Sequence, residues 1–355
     1  MAQIHRIAIL LPNWVGDLAM ATPTLRALRQ QFPQAQITGI CRPYLAGVLA
    51  GTDWLDELLL FDHRQRWGFA KALRFWSSVR RQQFDVMLLL RNTFASALAA
   101  RLSGARRIVG YARPGRTWLL TDSLQPPRDG KQLRPISAVD YYLQLAYQLG
   151  CHAQPRHLEL ATLPADEAAA DRVWNDLQLP PRDVVMLNTG GAFGTSKRWP
   201  AEHAALLARR IAGELGQSVL INCGPSERDD ARQTAELANH PRVKSLAGLS
   251  PKELSFGLTK ACLKRARLVI TTDSGPRHLA SALGTPTVTL FGPIDPAWSV
   301  NYEQGAVHLR LPLECAPCGQ KLCPLSHHRC MRDLTADIVF EAVARRLAEL
   351  QRQAA

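Results

Sequence analysis

Residues 267–293, RLVITTDSGPRHLASALGTPTVTLFGP, decide the fold. Leu268-Val269-Ile270 is an apolar run of strand length that meets a polar turn, Thr271-Thr272-Asp273-Ser274-Gly275. A short helix of small residues follows, then a second apolar run reaching Phe291. Strand, turn, helix and strand make a βαβ unit, whose two strands lie parallel. In sheets wound from such units, ligands bind outside the carboxyl ends of the strands. The turn after Ile270 therefore reads as a binding element. A helix start offers free N–H groups and positive potential to a diphosphate, and Ser274 and Gly275 permit close approach. Pro276 suits the first helical position, where a missing N–H costs least. His278 lies just inside the helix; alone, such a histidine is more often structural.

The same alternation extends outward from this stretch. Ile4–Leu11, Gln36–Ile40, Leu58–Phe61, Val86–Leu90 and Arg107–Val109 read as strands. Leu18, Thr22, Leu25 and Leu28 recur at helical spacing until Pro33, and Ile136–Leu149 reads as a helix. A Pro-dotted stretch, Cys151–Pro164, interrupts the pattern. It restarts with helix Ala165–Leu177, strand Val184–Asn188, helix Ala201–Leu215, strand Ser218–Asn222, helix Ser226–Leu237 and strands Arg267–Ile270 and Pro286–Phe291. Two such series in 355 residues predict an α/β protein of two doubly wound, Rossmann-like domains, 1–160 and 161–355, facing across a cleft. The second would carry a Cys-rich segment, 315–330, and a terminal helix.

Three other strand ends carry polar turns. After Leu11, the turn Pro12–Gly16 leads to Asp17 at the start of a helix. Asp17 is either a helix cap or a general base, and the two compete, because a carboxylate tied up as a cap is a poorer base. After Asn188, LNTGGAFGTSKRWP sets glycines before Thr195, Ser196 and Lys197. Glycine lets backbone N–H groups approach a phosphate and lysine adds charge, but the spacing fits neither Walker A nor GxGxxG. After Asn222, CGPSERDD places Glu227 either in a helix's first turn or against a ribose.

The net charge is +13, and from His63 to Thr121 twelve basic residues meet one acid, Asp85. Such a segment is either a solvated face or a surface for something anionic: nucleic acid, a membrane or a phosphorylated substrate. The basic residues include Arg64, Arg66, Lys71, Arg74, Arg91 and Arg101; Arg113 and Arg116 sit on a Pro/Gly loop and are placed to touch a ligand. No apolar run approaches a bilayer span, and Ile7–Leu11 is too short for a signal sequence, which predicts a cytoplasmic protein. Near the C-terminus Cys315, Cys318, Cys323 and Cys330 are spaced C-x2-C-x4-C-x6-C, with His327 and His328 between. These are either ligands of a structural zinc or thiols packing a loop; the usual zinc pattern separates its pairs by a longer loop.

Together PNWVGDLAMATPTLRAL, TSKRWP, TTDSGPRHLASALGTPTVTLFGP and HHRCMRDLT resemble the ADP-heptose:lipopolysaccharide heptosyltransferase family over nearly the whole chain. The resemblance implies a GT-B fold, inverting chemistry, and no catalytic metal or required cofactor. It implies Asp17 as general base. It carries Thr195, Ser196 and Lys197 to the donor phosphates, Glu227 to the ribose, and Asp273, Ser274, Gly275 and His278 to the diphosphate and sugar. Asn13, Arg91, Arg113 and Arg116 become candidate acceptor contacts. The implied donor is ADP-L-glycero-D-manno-heptose, and the acceptor a heptose on the phosphorylated Kdo-lipid A inner core. Residues 63–121 would then form the acceptor face on the cytoplasmic leaflet of the inner membrane, making the protein peripheral. Some relatives lack the four cysteines, so their role is not catalytic. A glycosyltransferase using another sugar nucleotide is the nearest rival. A dehydrogenase lacks support because no GxGxxG follows the first strand. A nucleic-acid-binding protein would leave the W-V-G-D and DSGPRH turns without purpose, so no nucleic-acid partner is expected.

Overall fold

The computed structural model describes residues 3–62, 69–190 and 194–354. It divides into two compact units. Unit 1 is Met1–Leu158 with Ser299–Asn301; unit 2 is Glu159–Trp298 with Tyr302–Ala355. The boundary falls two residues before the expected one, and the return of Ser299–Asn301 to unit 1 has no sequence signal.

In unit 1, six strands make one sheet: β1 (Arg6–Leu10), β2 (Gln36–Cys41), β3 (Glu57–Leu60), β4 (Val86–Leu89), β5 (Arg107–Tyr111) and β6 (Asp122–Leu124). Their order is β3-β2-β1-β4-β5-β6, all parallel. Ile7 stands opposite Ile37 on one side and Val86 on the other, all three fully buried. Helices cover both faces of such a sheet, so its central strands read as unbroken apolar runs rather than alternating ones. A hairpin, β7 (Arg128–Asp129) and β8 (Gln132–Leu133), follows the sheet.

Unit 2 repeats the plan with β9 (Val184–Asn188), β10 (Ser218–Ile221), β11 (Val243–Ser245), β12 (Leu268–Thr272), β13 (Thr287–Phe291) and β14 (Val307–Arg310). Its order, β11-β10-β9-β12-β13-β14, is the same winding. In both sheets the strand order reverses once, between β1 and β4 and between β9 and β12. At such a point neighbouring crossovers run to opposite faces and leave a crevice at the carboxyl ends.

The structure also departs from the sequence reading. The helix expected through Leu18–Leu28 is two, Val15–Met20 and Thr22–Gln31, joined at Ala21. Helices Phe69–Arg81 and Phe94–Leu102 and edge strands β6, β11 and β14 had no counterpart in that reading. The helix expected over Ile136–Leu149 is Ala138–Tyr147, capped by Ser137, whose side chain accepts the Val139 N–H.

Candidate functional site

The crevice of unit 1 opens at the end of β1. There Trp14 is the N-cap of helix Val15–Met20, and its side chain makes no capping bond. Asp17 lies in the first turn, so it is not the N-cap, although a carboxylate there still gains from the helix dipole. Its Oδ1 accepts the Tyr142 hydroxyl at 3.3 Å. Burial, and then the charge of Asp17, push the Tyr142 phenol well above its usual value. Tyr142 therefore stays protonated and can only donate to Asp17 through its hydrogen. It comes from helix Ala138–Tyr147, far along the chain, and the sequence reading missed it.

Arg91 follows β4 at the other side of the crevice. Its Nε donates to the Leu11 carbonyl, and burial, reinforced by Arg42, lowers it to about 10. Arg91 Nη2 and the side-chain Oδ1 of Asn13 are buried and meet no hydrogen-bond partner among the described residues. A ligand or an ordered water at this switch point would satisfy both groups. Arg113 donates through Nη2 to the Tyr141 hydroxyl at 3.0 Å. Arg116 corrects the sequence reading: it is fully buried, and its Nη1 donates to the Arg91 carbonyl at 2.7 Å. Its loop faces solvent, but its guanidinium turns inward to hold the backbone of Arg91.

In unit 2 the crevice opens where β12 ends. Ser274 is the N-cap of helix Gly275–Ala282, so Pro276 occupies its second position. The Ser274 hydroxyl makes no cap bond and lies 3.3 Å from Thr271 Oγ1. Asp273 is 5% exposed and is gripped from two sides. Lys197 Nζ donates to its Oδ2 at 2.8 Å and to its carbonyl at 2.7 Å, and Arg277 Nη1 donates to Oδ1 at 3.1 Å. Burial alone would raise this carboxyl; Lys197, His278 and Arg277 outweigh it and hold it down to about 2. Arg277 is 1% exposed, lies over the Phe291 ring and sits 3.3 Å from His308 Nε2. Burial and Arg277 together lower the His308 imidazole to about 4, so it is neutral near pH 7. Asp273 is shared by two cations beside a helix start, and Glu303 is a second carboxylate acting on Arg277. His278, 4% exposed, belongs to the same group.

Lys197 is carried on the 3-10 turn Thr195–Lys197, with Thr195 exposed and Ser196 buried. Gly191, Ala192 and Phe193 of that loop lie outside the described residues. Ser196 has a different task from the one expected of it: its hydroxyl donates to the Gln320 carbonyl at 2.7 Å and its N–H to the Lys321 carbonyl at 3.2 Å. Glu227 is the N-cap of helix Arg228–Ala238, and its Oε2 accepts the Gly224 N–H at 3.0 Å. It presses on Gly190 so closely that a Cβ there would collide with the carboxylate. A polar ladder missed by the sequence reading joins three strand ends. Asn222 donates to Asn188 at 2.8 Å, and Asn188 and Thr272 both donate to the Gly190 carbonyl, at 3.4 and 3.1 Å. The available signal was a polar residue closing or immediately following an apolar strand.

The basic segment is only partly free for ligands. Arg106 pairs with Asp85 at 3.3 Å and Arg107 with Asp122 at 2.8 Å. Arg64 and Arg66 lie outside the described residues. Lys71, Arg74, Arg80, Arg81 and Arg101 are exposed. Among them Phe94, Leu98 and Leu102 form an exposed stripe at four-residue spacing, with Leu73 exposed on the helix packed alongside. No helix among the described residues is long and apolar enough to cross a membrane.

Comparison with known proteins is consistent across sequence and structure. Residues 72–328 match the model of glycosyltransferase family 9 (heptosyltransferase). The chain is 27% identical to lipopolysaccharide heptosyltransferase 2 of Salmonella typhimurium, covering 97% of this chain and 99% of that one. It is 30% identical to lipopolysaccharide heptosyltransferase 1 of Pseudomonas aeruginosa, covering 93% and 91%. The solved structure of the E. coli ADP-heptose LPS heptosyltransferase II superposes with a TM-score of 0.79 at 23% identity, covering 98% of this chain and 99% of that one. The fold is thus the GT-B type with two Rossmann-like units. The chain belongs to glycosyltransferase family 9, the heptosyltransferases, and is a glycosyltransferase.

Proposed function

We propose that this enzyme transfers L-glycero-D-manno-heptose from ADP-heptose to the heptose of the lipopolysaccharide inner core, as a heptosyltransferase II. The observation that carries this reading is where the shared motifs fall: the carboxylate of Asp17 at one switch point, and Lys197 with the Asp273–Arg277 pair at a helix start at the other. Unit 2 holds the donor. The diphosphate meets the N–H groups after Ser274 and the side chains of Lys197 and His278, with Thr195 on the exposed side of the turn; Glu227 takes the ribose. Unit 1 holds the acceptor sugar through Asn13 Oδ1 and Arg91 Nη2, with Arg113 beside them. Tyr142 steadies one oxygen of Asp17 while the carboxylate takes the proton of the attacking hydroxyl. Attack on the face opposite the diphosphate inverts the anomeric carbon. Charge then grows on the departing ADP, where fixed N–H groups and cations stabilise it more than in the ground state. These groups do the work that a divalent cation does in other transferases, so no catalytic metal is required.

The exposed stripe Phe94-Leu98-Leu102, with the exposed Arg101 on the same helix and Arg74 on the helix packed alongside, supports peripheral binding to the anionic cytoplasmic leaflet where such an acceptor resides. A glycosyltransferase for another sugar nucleotide is the alternative reading. The experiment is acceptor-dependent ADP release from ADP-heptose during brief EDTA exposure, for wild type and Asp17→Asn. Loss of a general base lowers kcat by about 10²–10⁴-fold. Wild-type activity in Asp17→Asn refutes the base, and no release by wild type while another sugar nucleotide reacts refutes the donor.

A further inference from the structure

Arg277 is 1% exposed, so a ligand in unit 2 cannot touch it. Burying a guanidinium is costly unless charge and hydrogen bonds return the loss. The sequence sets Arg277 four residues after Asp273, and the start of helix Gly275–Ala282 brings the two together. Three elements fix the guanidinium. Its Nη1 donates to Asp273 Oδ1 at 3.1 Å. Its Nη2 lies 3.3 Å from Nε2 of His308 in β14; a guanidinium can only donate, so that ring nitrogen accepts. It stands 4.9 Å over the ring of Phe291 at the end of β13, and that ring meets His308 edge-on. Glu303 precedes β14, with both carboxyl oxygens buried. Burial lowers the Arg277 pKa, against the support of Asp273 and then Glu303. The same Asp273 holds Lys197, through Oδ2 at 2.8 Å and through its carbonyl at 2.7 Å, and His278 acts on it too. One carboxylate thus divides its charge between a cation sealed from ligands and a cation on the donor side.

We infer that Arg277 is a positioning residue of the donor site, set between Asp273 and Glu303, and that it governs how firmly Asp273 holds Lys197. Two cations on one carboxylate repel each other, so each weakens the hold on the other. Arg277 is fixed by His308, Phe291 and burial, which leaves Lys197, on the turn Thr195–Lys197, as the cation that exchanges partners. A diphosphate arriving at the helix start after Ser274 competes with Asp273 for Lys197. With Arg277 in place that exchange costs less, and the Lys197 charge can follow the charge that grows on the leaving group. Glu303 works in the opposite sense, because its charge offsets that of Arg277. Arg277 bonds the same carboxylate as Lys197, so of the two its charge dominates there. The consequence for the diphosphate rests on unit 2 holding the donor; the hold of Asp273 on Lys197 does not.

The test uses the full chain with Arg277→Met, which keeps bulk over the Phe291 ring, and Glu303→Gln, which keeps shape. Acylation of Lys197 by an amine-reactive ester, read by peptide mass spectrometry against the exposed Lys252, reports how firmly the ammonium is held. Labelling should fall about three- to tenfold in Arg277→Met and rise by a similar factor in Glu303→Gln. Calorimetric affinity for ADP should follow, weaker in Arg277→Met and tighter in Glu303→Gln. Affinity for adenosine, which brings no phosphate, should stay unchanged in both. A role in packing cannot give this pattern, because loosened packing raises labelling in either variant. Labelling that moves the same way in both variants, or in neither, overturns the role of Arg277. So does ADP affinity lost in step with adenosine affinity. Should Arg277→Met not fold, Glu303→Gln decides: raised labelling upholds the role, and unchanged or lowered labelling overturns it. Failure of wild type to bind ADP refutes the donor reading of unit 2, and labelling still decides what Arg277 does to Lys197.

Discussion

Asp273→Asn tests the electrostatic design of unit 2. The carboxylate is 5% exposed and shared by Lys197 and Arg277, themselves 13% and 1% exposed at the side chain. Asn keeps the shape but removes the charge that Lys197 and Arg277 share, while Glu303 still acts on Arg277. The size follows from linkage. A carboxyl lowered from 3.8 to about 2 stabilises the folded state by about 2 kcal/mol once both states are ionised. Losing one member of a buried ion pair costs about 3–5 kcal/mol, which sets an upper bound, because the two cations retain the Asp273 carbonyl and the Phe291 ring. The expected loss for Asp273→Asn at pH 7 is therefore about 2–3 kcal/mol. The sign with pH is fixed. A depressed carboxyl contributes fully above its unfolded pKa and loses that contribution as pH falls through its folded value. The difference between wild type and mutant should thus halve, roughly, by pH 3 and vanish below pH 2. Hydrogen exchange over residues 268–282 reads this locally, which avoids treating a two-unit protein as two-state. Unchanged protection in the mutant at pH 7, or a difference as large at pH 2 as at pH 7, would refute the shared-carboxylate account.

Tyr142→Phe removes the hydrogen bond to Asp17 without emptying the core; kcat should fall roughly tenfold with KM little changed, from the loss of about 1.5 kcal/mol of orientation, and an unaltered kcat would show that Tyr142 only packs. Gly190→Ala pushes the Glu227 carboxylate aside while leaving the strands intact, so calorimetric affinity for ADP should drop several-fold at unchanged melting temperature; full affinity would remove Glu227 from the donor site. Leu98→Glu should weaken sedimentation with anionic vesicles and spare neutral-lipid controls, and each exposed Lys or Arg there should contribute about 1 kcal/mol that salt removes. Binding to anionic vesicles that neither salt nor Leu98→Glu alters would count against the membrane face.

Much of the fold was legible in the chain because its central strands are buried on both faces. Val86–Leu89 and the first four residues of Val184–Asn188 are continuous apolar runs, short and bounded by polar turns as buried strands are. The turns at their ends were legible for the opposite reason: Asp17, Lys197, Glu227 and Asp273 interrupt that pattern where a doubly wound sheet binds ligands. Edge strands β6, β11 and β14 are half-exposed and carry charge, as in Asp122–Leu124 and Val307–Arg310, so their residues do not differ from a loop's. What the sequence could not determine was which polar groups meet. Tyr142 reaches Asp17, Lys197 reaches Asp273, and Arg116 turns inward to Arg91, each across a long stretch of chain whose path only the packed sheets define. Residue type told which side chains could carry charge or a proton. Burial and partner, which set whether that charge is paired, shifted or free for a ligand, came from the tertiary structure, because Coulomb energy and desolvation depend on distance in space and not along the chain.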